Sequence, residues 1–202
     1  MTNSNGESAK YVIESGLRPE HHAQAARGYW QAFSRKLRYP LGPEQKAIAF
    51  VERVLQPDYA ISAVSASGDF LGAAGFKTPN GSFIGGEFDD LHQVYGLFGA
   101  AWRGLLVSTL ERACENGTLL MDGIFVEPQA RGLGVGTALL HAIMGHAAHS
   151  QLQRVRLDVI DTNPRARTLY EREGFVVQDV KKLGLAAPIF GFSTATEMIK
   201  QV

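Results

Sequence analysis

The chain holds one cysteine, Cys114, in 202 residues. A lone thiol excludes an internal disulfide framework and any cysteine-rich zinc site. Cys114 falls in a stretch of helical periodicity, where it reads as a small buried apolar residue. Long hydrophobic runs are missing too: nothing approaches the roughly 18 apolar residues needed to span a membrane. Net charge is absent, because 20 Lys and Arg balance 20 Asp and Glu. Without a basic excess or a Lys/Arg block, nucleic acid is not expected as a partner. Residues Met1 to Ser8 are polar and carry no apolar segment of signal-peptide type, so a soluble cytoplasmic protein is expected. Repeats, low-complexity tracts and linkers are lacking as well.

What is present suits a single globular unit. The chain is 45% hydrophobic and 20% charged, and at this length about 70% of the unfolded surface is buried on folding. Residues 1–10 read as a disordered tail and 11–202 as one domain. Tyr11 to Ile13 reads as a strand, Glu20 to Leu37 as a helix, and Pro43 as the first turn of a second helix reaching Leu55. Tyr59 to Ser65 and Phe70 to Lys77 form a hairpin across Ser67-Gly68-Asp69. Thr78-Pro79-Asn80-Gly81 is a turn. Val94, Leu97, Phe98, Ala101 and Leu105 then recur at helical spacing, predicting an amphipathic helix running towards Glu115. Downstream, strands at Leu119–Val126, Val155–Ile160, Phe175–Val180 and Ala195–Gln201 alternate with helices opening near Gly136 and at Pro164. The class is α/β.

The segment from Ile124 to Leu140 is the most informative. A strand runs into Gly132, Gly134 and Gly136, and these open a helix. Glycine permits positive φ and lacks Cβ, so successive N–H groups can converge on one anion. The helix behind adds unpaired N–H groups and partial positive charge. This is a pyrophosphate cradle. A P-loop is excluded for want of lysine after the glycines. A dinucleotide fingerprint fits poorly: its third glycine would fall on Thr137 or Leu139, although Asp158 stands near the place of its acidic partner. A purely structural strand–turn–helix junction is the remaining plain alternative.

Arg131-x-x-Gly134-x-Gly136, preceded by Val126-x-Pro128, resembles the Arg/Gln-x-x-Gly-x-Gly/Ala motif of the GNAT superfamily of acetyl-CoA-dependent N-acyltransferases. Leu157-x-Val159-x-x-x-Asn163-x-x-Ala166-x-x-Leu169-Tyr170-Glu171-x-x-Gly174-Phe175 resembles that family's following strand–helix segment. The resemblance spans Leu119 to Phe175. It implies a mixed central sheet of six to seven strands flanked by helices. The helix between Gly85 and Glu115 is an insertion between the third and fourth strands of that fold.

The resemblance also implies roles. Amides of Gly132, Leu133, Gly134, Val135, Gly136 and Thr137 would grip the pyrophosphate of acetyl-CoA, with the Arg131 side chain either a second anchor or surface. The strand before the loop would splay from its neighbour, and backbone at Phe125 and Val126 would pair with the pantetheine arm. An N–H near Val126 would polarise the thioester carbonyl. Asn163 would bond the arm; its residue type ahead of Pro164 equally suits a helix N-cap. Tyr170 matches the family's general acid, which protonates the departing thiolate; otherwise it packs beside Phe175. Asp122 is the candidate base, a charged residue in an apolar strand that alternates with Leu120, Ile124 and Val126 on one face. Its alternative is a structural ion pair.

The expected reaction is direct transfer to a primary amine of a small molecule, since no nucleophile lies beside the loop. Two other readings are a non-catalytic coenzyme A-binding module and a nucleotide-dependent oxidoreductase. His141, His146 and His149, like His21 and His22, read as solvated, with no metal set. Glu87, Asp89 and Asp90 read as a solvated loop, and Trp30, Tyr39 and Trp102 as core. A homodimer is compatible with the pattern.

Overall fold

The computed structural model describes residues 11–108, 113–184 and 187–202. The polar stretch 1–10, expected as a tail, lies outside the described residues. Alternation and turn chemistry produce the first meander: β1 (Tyr11–Ser15) pairs antiparallel with β2 (Ala60–Ser65), and β2 with β3 (Phe70–Thr78). The turn between β2 and β3 is held by Asp69, whose Oδ2 accepts from the Ser67 hydroxyl at 2.6 Å. Beyond the expected turn after β3, a two-residue strand β4 (Gly81–Ser82) folds back on β3.

Between β1 and β2 run α1 (His22–Leu41) and α2 (Glu44–Val54). The first helix outlasts its expected end at Leu37. Pro40 sits in its last turn, and burial of Pro40 and Leu41 outweighs the hydrogen bond a proline forfeits. Pro43 caps α2 from outside in extended conformation instead of entering its first turn.

The inserted segment departs most from expectation. Helix α3 (Phe88–Ser108) is two helical pieces joined at Gly96, whose φ of 71° and ψ of 170° are non-helical. That break resets the helical phase, so the apolar stripe expected to face the core faces outward. Phe98 is 89% exposed, Leu105 70% and Leu97 59%, whereas Leu91, Tyr95 and Ala100 are buried. Tyr95 anchors the segment: its hydroxyl donates to the Leu41 carbonyl, and the Arg103 guanidinium lies 4.2 Å from its ring centre. Burial pushes that phenol up to about 12. Trp30 belongs to the core as expected, but Tyr39 and Trp102 are about half exposed. Asp90 caps the segment rather than sitting in a solvated loop; its Oδ2 accepts from the Glu87 amide at 3.0 Å while Oδ1 pairs with Arg53 at 2.9 Å. The expected extension towards Glu115 falls partly on 109–112, outside the described residues. Cys114 is not helical, and its Sγ contacts the carbonyl of Thr118 at 3.3 Å.

The second half comprises β5 (Thr118–Val126), α4 (Val135–His149), β6 (Arg154–Ile160), α5 (Pro164–Arg172), β7 (Val176–Lys182), a one-turn α6 (Ala187–Phe190) and β8 (Thr194–Gln201). Among the described residues the sheet order is β1-β2-β3-β5-β6-β8-β7, the mixed sheet that was expected, with the two-residue β4 added on β3. Among the strands of the described residues only β5 and β6 pair in parallel. One face packs on α4 and α5 through Leu119, Met121, Leu139, Ile143 and Leu157. The other face is covered by α1, with Phe70, Phe83 and Phe125 beneath it, and α2 and α3 pack on α1 through Trp30, Leu41, Phe50 and Leu91. His146, expected in solvent, packs against Phe76 at 4.8 Å, and His21 is buried with Nε2 at 3.0 Å from the Gly68 carbonyl.

Candidate active site

Gly134 caps α4 with φ 79° and ψ 1°, a left-handed conformation that a side chain would strain. Gly132, at φ 85°, does the same two residues earlier. Together they turn the chain so that the first amides of α4 face outward. The Ala138 amide donates to Gly134 at 3.0 Å, leaving the three before it, on Val135, Gly136 and Thr137, without a helical acceptor. Leu133 differs: its amide reaches the Ala130 carbonyl at 3.4 Å, and its side chain points to solvent. The Arg131 Nε donates to the Val126 carbonyl at 3.3 Å, bracing the loop against the end of β5.

The slot begins where a register ends. Strands β5 and β6 pair from Thr118↔Arg154 to Met121↔Leu157 and no further. Beyond that point β5 stays with β3 to Val126, and β6 stays with β8 to Ile160. The sheet therefore splits into a V. A β-bulge sits at its throat: Gly75 faces Gly123 and the next residue, Phe76, faces Met121, so Asp122 is the extra residue. The bulge overturns the expected alternation. Ile124 and Val126 pack with Leu119 and Met121 on the α4 face, while Phe125 packs on the α1 face. Asp122 does not share a face with Ile124 and Val126. Asp158 stands level with it on β6, one residue beyond the last parallel pair, and between Leu157 and Val159 of the α4-side core it faces the opposite way.

Main-chain direction follows from one bond. The Glu127 amide donates to the Leu71 carbonyl at 2.9 Å, so Glu127, Phe125 and Gly123 aim their backbone groups at β3. Ile124 and Val126 aim theirs into the slot. Phe125, expected to offer backbone there, instead contributes a ring that packs towards α1; Ile124 is the residue the sequence reading missed.

A cavity of about 840 Å³ occupies the V. It gathers Tyr170, Asn163, Phe125, Val126, Arg131, Gly132, Gly134, Val135, Gly136 and Thr137; Asp122 and Leu133 are not among its lining residues. Tyr170 is 7% exposed, its ring 6.0 Å from Phe175. Burial alone pushes its phenol up to about 12, so the hydroxyl is protonated throughout the neutral range. The Asn163 Oδ1 accepts from the Ala166 amide at 3.2 Å, the N-cap arrangement, which leaves its NH₂ for the cavity.

Further lining residues escaped sequence reading because they come from distant elements. Gly28, Gln31 and Ala32 arrive on α1, Glu127 follows β5, and Arg165 and Arg172 lie one above the other on α5. A Cβ on Gly28 would stand 2.8 Å from the Phe125 ring, so glycine there is what lets α1 approach β5. The i, i+7 spacing of the two arginines was the one legible signal. Among the described residues no group of three His, Cys, Asp or Glu is placed to hold a metal, and no helix is long and apolar enough to cross a membrane.

Comparison with known proteins agrees with this geometry. The chain is 44% identical over 50 residues to a mycothiol acetyltransferase of Geodermatophilus obscurus, covering 25% of this chain and 16% of that protein. It is 32% identical over 62 residues to a spermine/spermidine N(1)-acetyltransferase of Bacillus subtilis, covering 30% and 41%. The matches thus span less than half the length of either relative. In three dimensions it is similar to a GCN5-related N-acetyltransferase from Kribbella flavida, with TM-score 0.64, 18% identity, and 96% and 98% of the two chains covered. Ard1 from Thermoplasma volcanium superposes with TM-score 0.61 at 16% identity, covering 96% and 99%. The profile of the Acetyltransferase (GNAT) family matches residues 26–175, taking in the glycine loop, the split sheet and α5, and the chain belongs to that family.

Proposed function

We propose that the chain transfers an acetyl group directly from acetyl-CoA to a primary amine of a small-molecule acceptor. The observation that carries this reading is the coincidence, in one cavity, of outward-facing amides at the start of α4, two slot-facing backbone groups on β5 and a buried phenol. The amides of Gly134 to Thr137 hold the pyrophosphate, and Arg131, Arg165 and Arg172 supply the cationic wall for its phosphates. The pantetheine arm runs inward along β5. Val126, next to the loop, bonds the arm, and the Ile124 N–H, deeper in the V, meets the thioester oxygen. One such donor is worth about 3–4 kcal/mol in acyl transfer.

The neutral amine attacks the thioester carbon; a C–N bond forms and the C–S bond breaks. The nitrogen's proton leaves to a carboxylate at the throat, Asp122 or, level with it, Asp158. The thiolate takes a proton from the Tyr170 hydroxyl, which is replenished by the proton released from nitrogen. Net proton count is unchanged.

Tyr170→Phe tests the assignment. Its hydroxyl makes no hydrogen bond among the described residues, so removal leaves stability intact, while kcat for thiol release falls about a hundredfold to ten-thousandfold. An unchanged kcat removes Tyr170 from the chemistry. Absence of any heat on titrating acetyl-CoA into folded protein removes the function as a whole.

A further inference from the structure

Helix α3 presents an apolar side to solvent. At about 1.5 Å per residue a continuous helix would hold Phe88 and Gly104 about 24 Å apart. Instead the Phe88 Cδ2 lies 3.9 Å from where a Cβ of Gly104 would stand, so the break at Gly96 folds the second helical piece back along the first. Leu91, Tyr95 and Ala100 then pack inward, and Phe98, Ala101, Trp102 and Leu105 face out. These four stand at i, i+3, i+4 and i+7, the outline of one hole on a helix surface. Charge is missing from that side. Arg103 is the only charged residue between Leu97 and Ser108, and it turns back: its Nη2 donates to the Gly42 carbonyl at 2.9 Å, and its guanidinium sits 4.2 Å from the ring centres of both Tyr95 and Trp102. A face without cations has nothing to hold anionic lipid headgroups.

We infer that this face of α3 joins two copies of the chain in an isologous dimer. The exposed parts of Leu97, Phe98, Trp102 and Leu105 amount to roughly 500 Å² of apolar surface, at the upper end of what a solitary soluble chain shows to water. Two such faces bury about 1,000 Å² together, the least area a specific interface needs. A two-fold axis over the centre of the four residues runs the paired helices antiparallel. It sets Phe98 against the partner's Leu105, and Trp102 against the partner's Ala101, large against small. An interface of this size holds weakly, so the monomer prevails at about 0.1 µM and the dimer at about 100 µM. The inference is independent of the acetyl-transfer reading, because none of these residues lines the cavity.

Sedimentation velocity on the full-length chain, from about 0.1 µM to about 100 µM, is the test. The sedimenting mass of the natural chain is expected to rise from that of one copy to that of two across this range. Phe98→Glu and Leu105→Lys should each stay monomeric throughout, with urea midpoints at the lowest concentration equal to the natural one. An equimolar mixture of the two variants should dimerise again. The antiparallel register brings the introduced carboxylate onto the introduced ammonium at one contact and leaves Leu105 on Phe98 at the other. A natural chain that remains monomeric at the highest concentration overturns the inference, whether or not vesicles of anionic phospholipid carry it down. So does a Phe98→Glu chain that still dimerises, or a mixture of the two variants that stays monomeric.

Discussion

Gly134 and Gly136 sit two residues apart in one loop, yet alanine at each should act in opposite directions. Gly134 has φ 79°, and a Cβ there finds only the Tyr11 hydroxyl at 3.7 Å, so space is available and backbone strain alone decides. Forcing an L-residue into the left-handed region costs about 1–2 kcal/mol. In a chain of this size that lowers Tm by about 2–8 °C. Relaxing the strain means rotating Gly134 out of the left-handed region, which swings the amides of Val135 to Thr137 away from their common focus. Acetyl-CoA affinity should therefore fall at least tenfold in Gly134→Ala. Gly136 lies in the first turn of α4 at ordinary φ, with Val126 Cγ2 at a comfortable 3.8 Å. Alanine there narrows the unfolded ensemble and should stabilise by about 0.4–1 kcal/mol, raising Tm by about 1–4 °C. Scanning calorimetry with and without acetyl-CoA measures both effects. If Gly134→Ala keeps Tm and ligand-induced stabilisation, the amide cradle is not built by that glycine and the reasoning is wrong.

Three further outcomes are expected. Gly28→Ala pushes its methyl into the Phe125 ring at 2.8 Å and should cost about 1–3 kcal/mol in urea unfolding; Phe125→Leu in the same chain should cost less than the sum of the single changes, and strict additivity would refute the close-approach argument. On α3, Leu91→Ala should cost about 2–5 kcal/mol and Phe98→Ser less than about 0.5 kcal/mol, the reverse of what simple helical periodicity demands; equal urea midpoints for the two would contradict the outward-facing stripe. Burial against Phe76, with a smaller contribution from His149, holds the His146 imidazole below its ordinary 6.5. A depressed histidine contributes stability that is present above that value and lost as pH falls through the lowered one, so Tm should drop on acidification below about pH 6.5, and His146→Gln should flatten this slope. A natural slope no steeper than the variant's would show that His146 is solvated after all.

Local chemistry made much of the molecule readable. Ser67-Gly68-Asp69 is a turn whatever surrounds it, Asn163-Pro164 starts a helix, and three spaced glycines after an apolar strand have few uses besides gathering amides. These signals depend on φ, on Cβ and on neighbours three or four residues away, and such information is carried in the chain itself. Tyr170 and most of the loop residues named from the sequence line one cavity for that reason. The face of Asp122 was misjudged because alternation assumes an unbroken ladder, and the extra residue opposite Gly75 and Phe76 is a property of two strands paired across some fifty residues of sequence. The stripe on α3 failed likewise, because the 3.6-residue period holds only while every residue is helical, and Gly96 is not.

By itself, then, the order of residues determined the α/β class, the glycine loop that opens α4 and the phenol that follows it, because each is a short-range consequence of stereochemistry. Tertiary structure alone decided where β5 leaves β6, that Ile124 and not Phe125 turns its amide to the gap, and that Gly28, Arg165 and Glu127 meet around one cavity. Those facts arise from pairing and packing between segments far apart in the chain, and no local pattern encodes them.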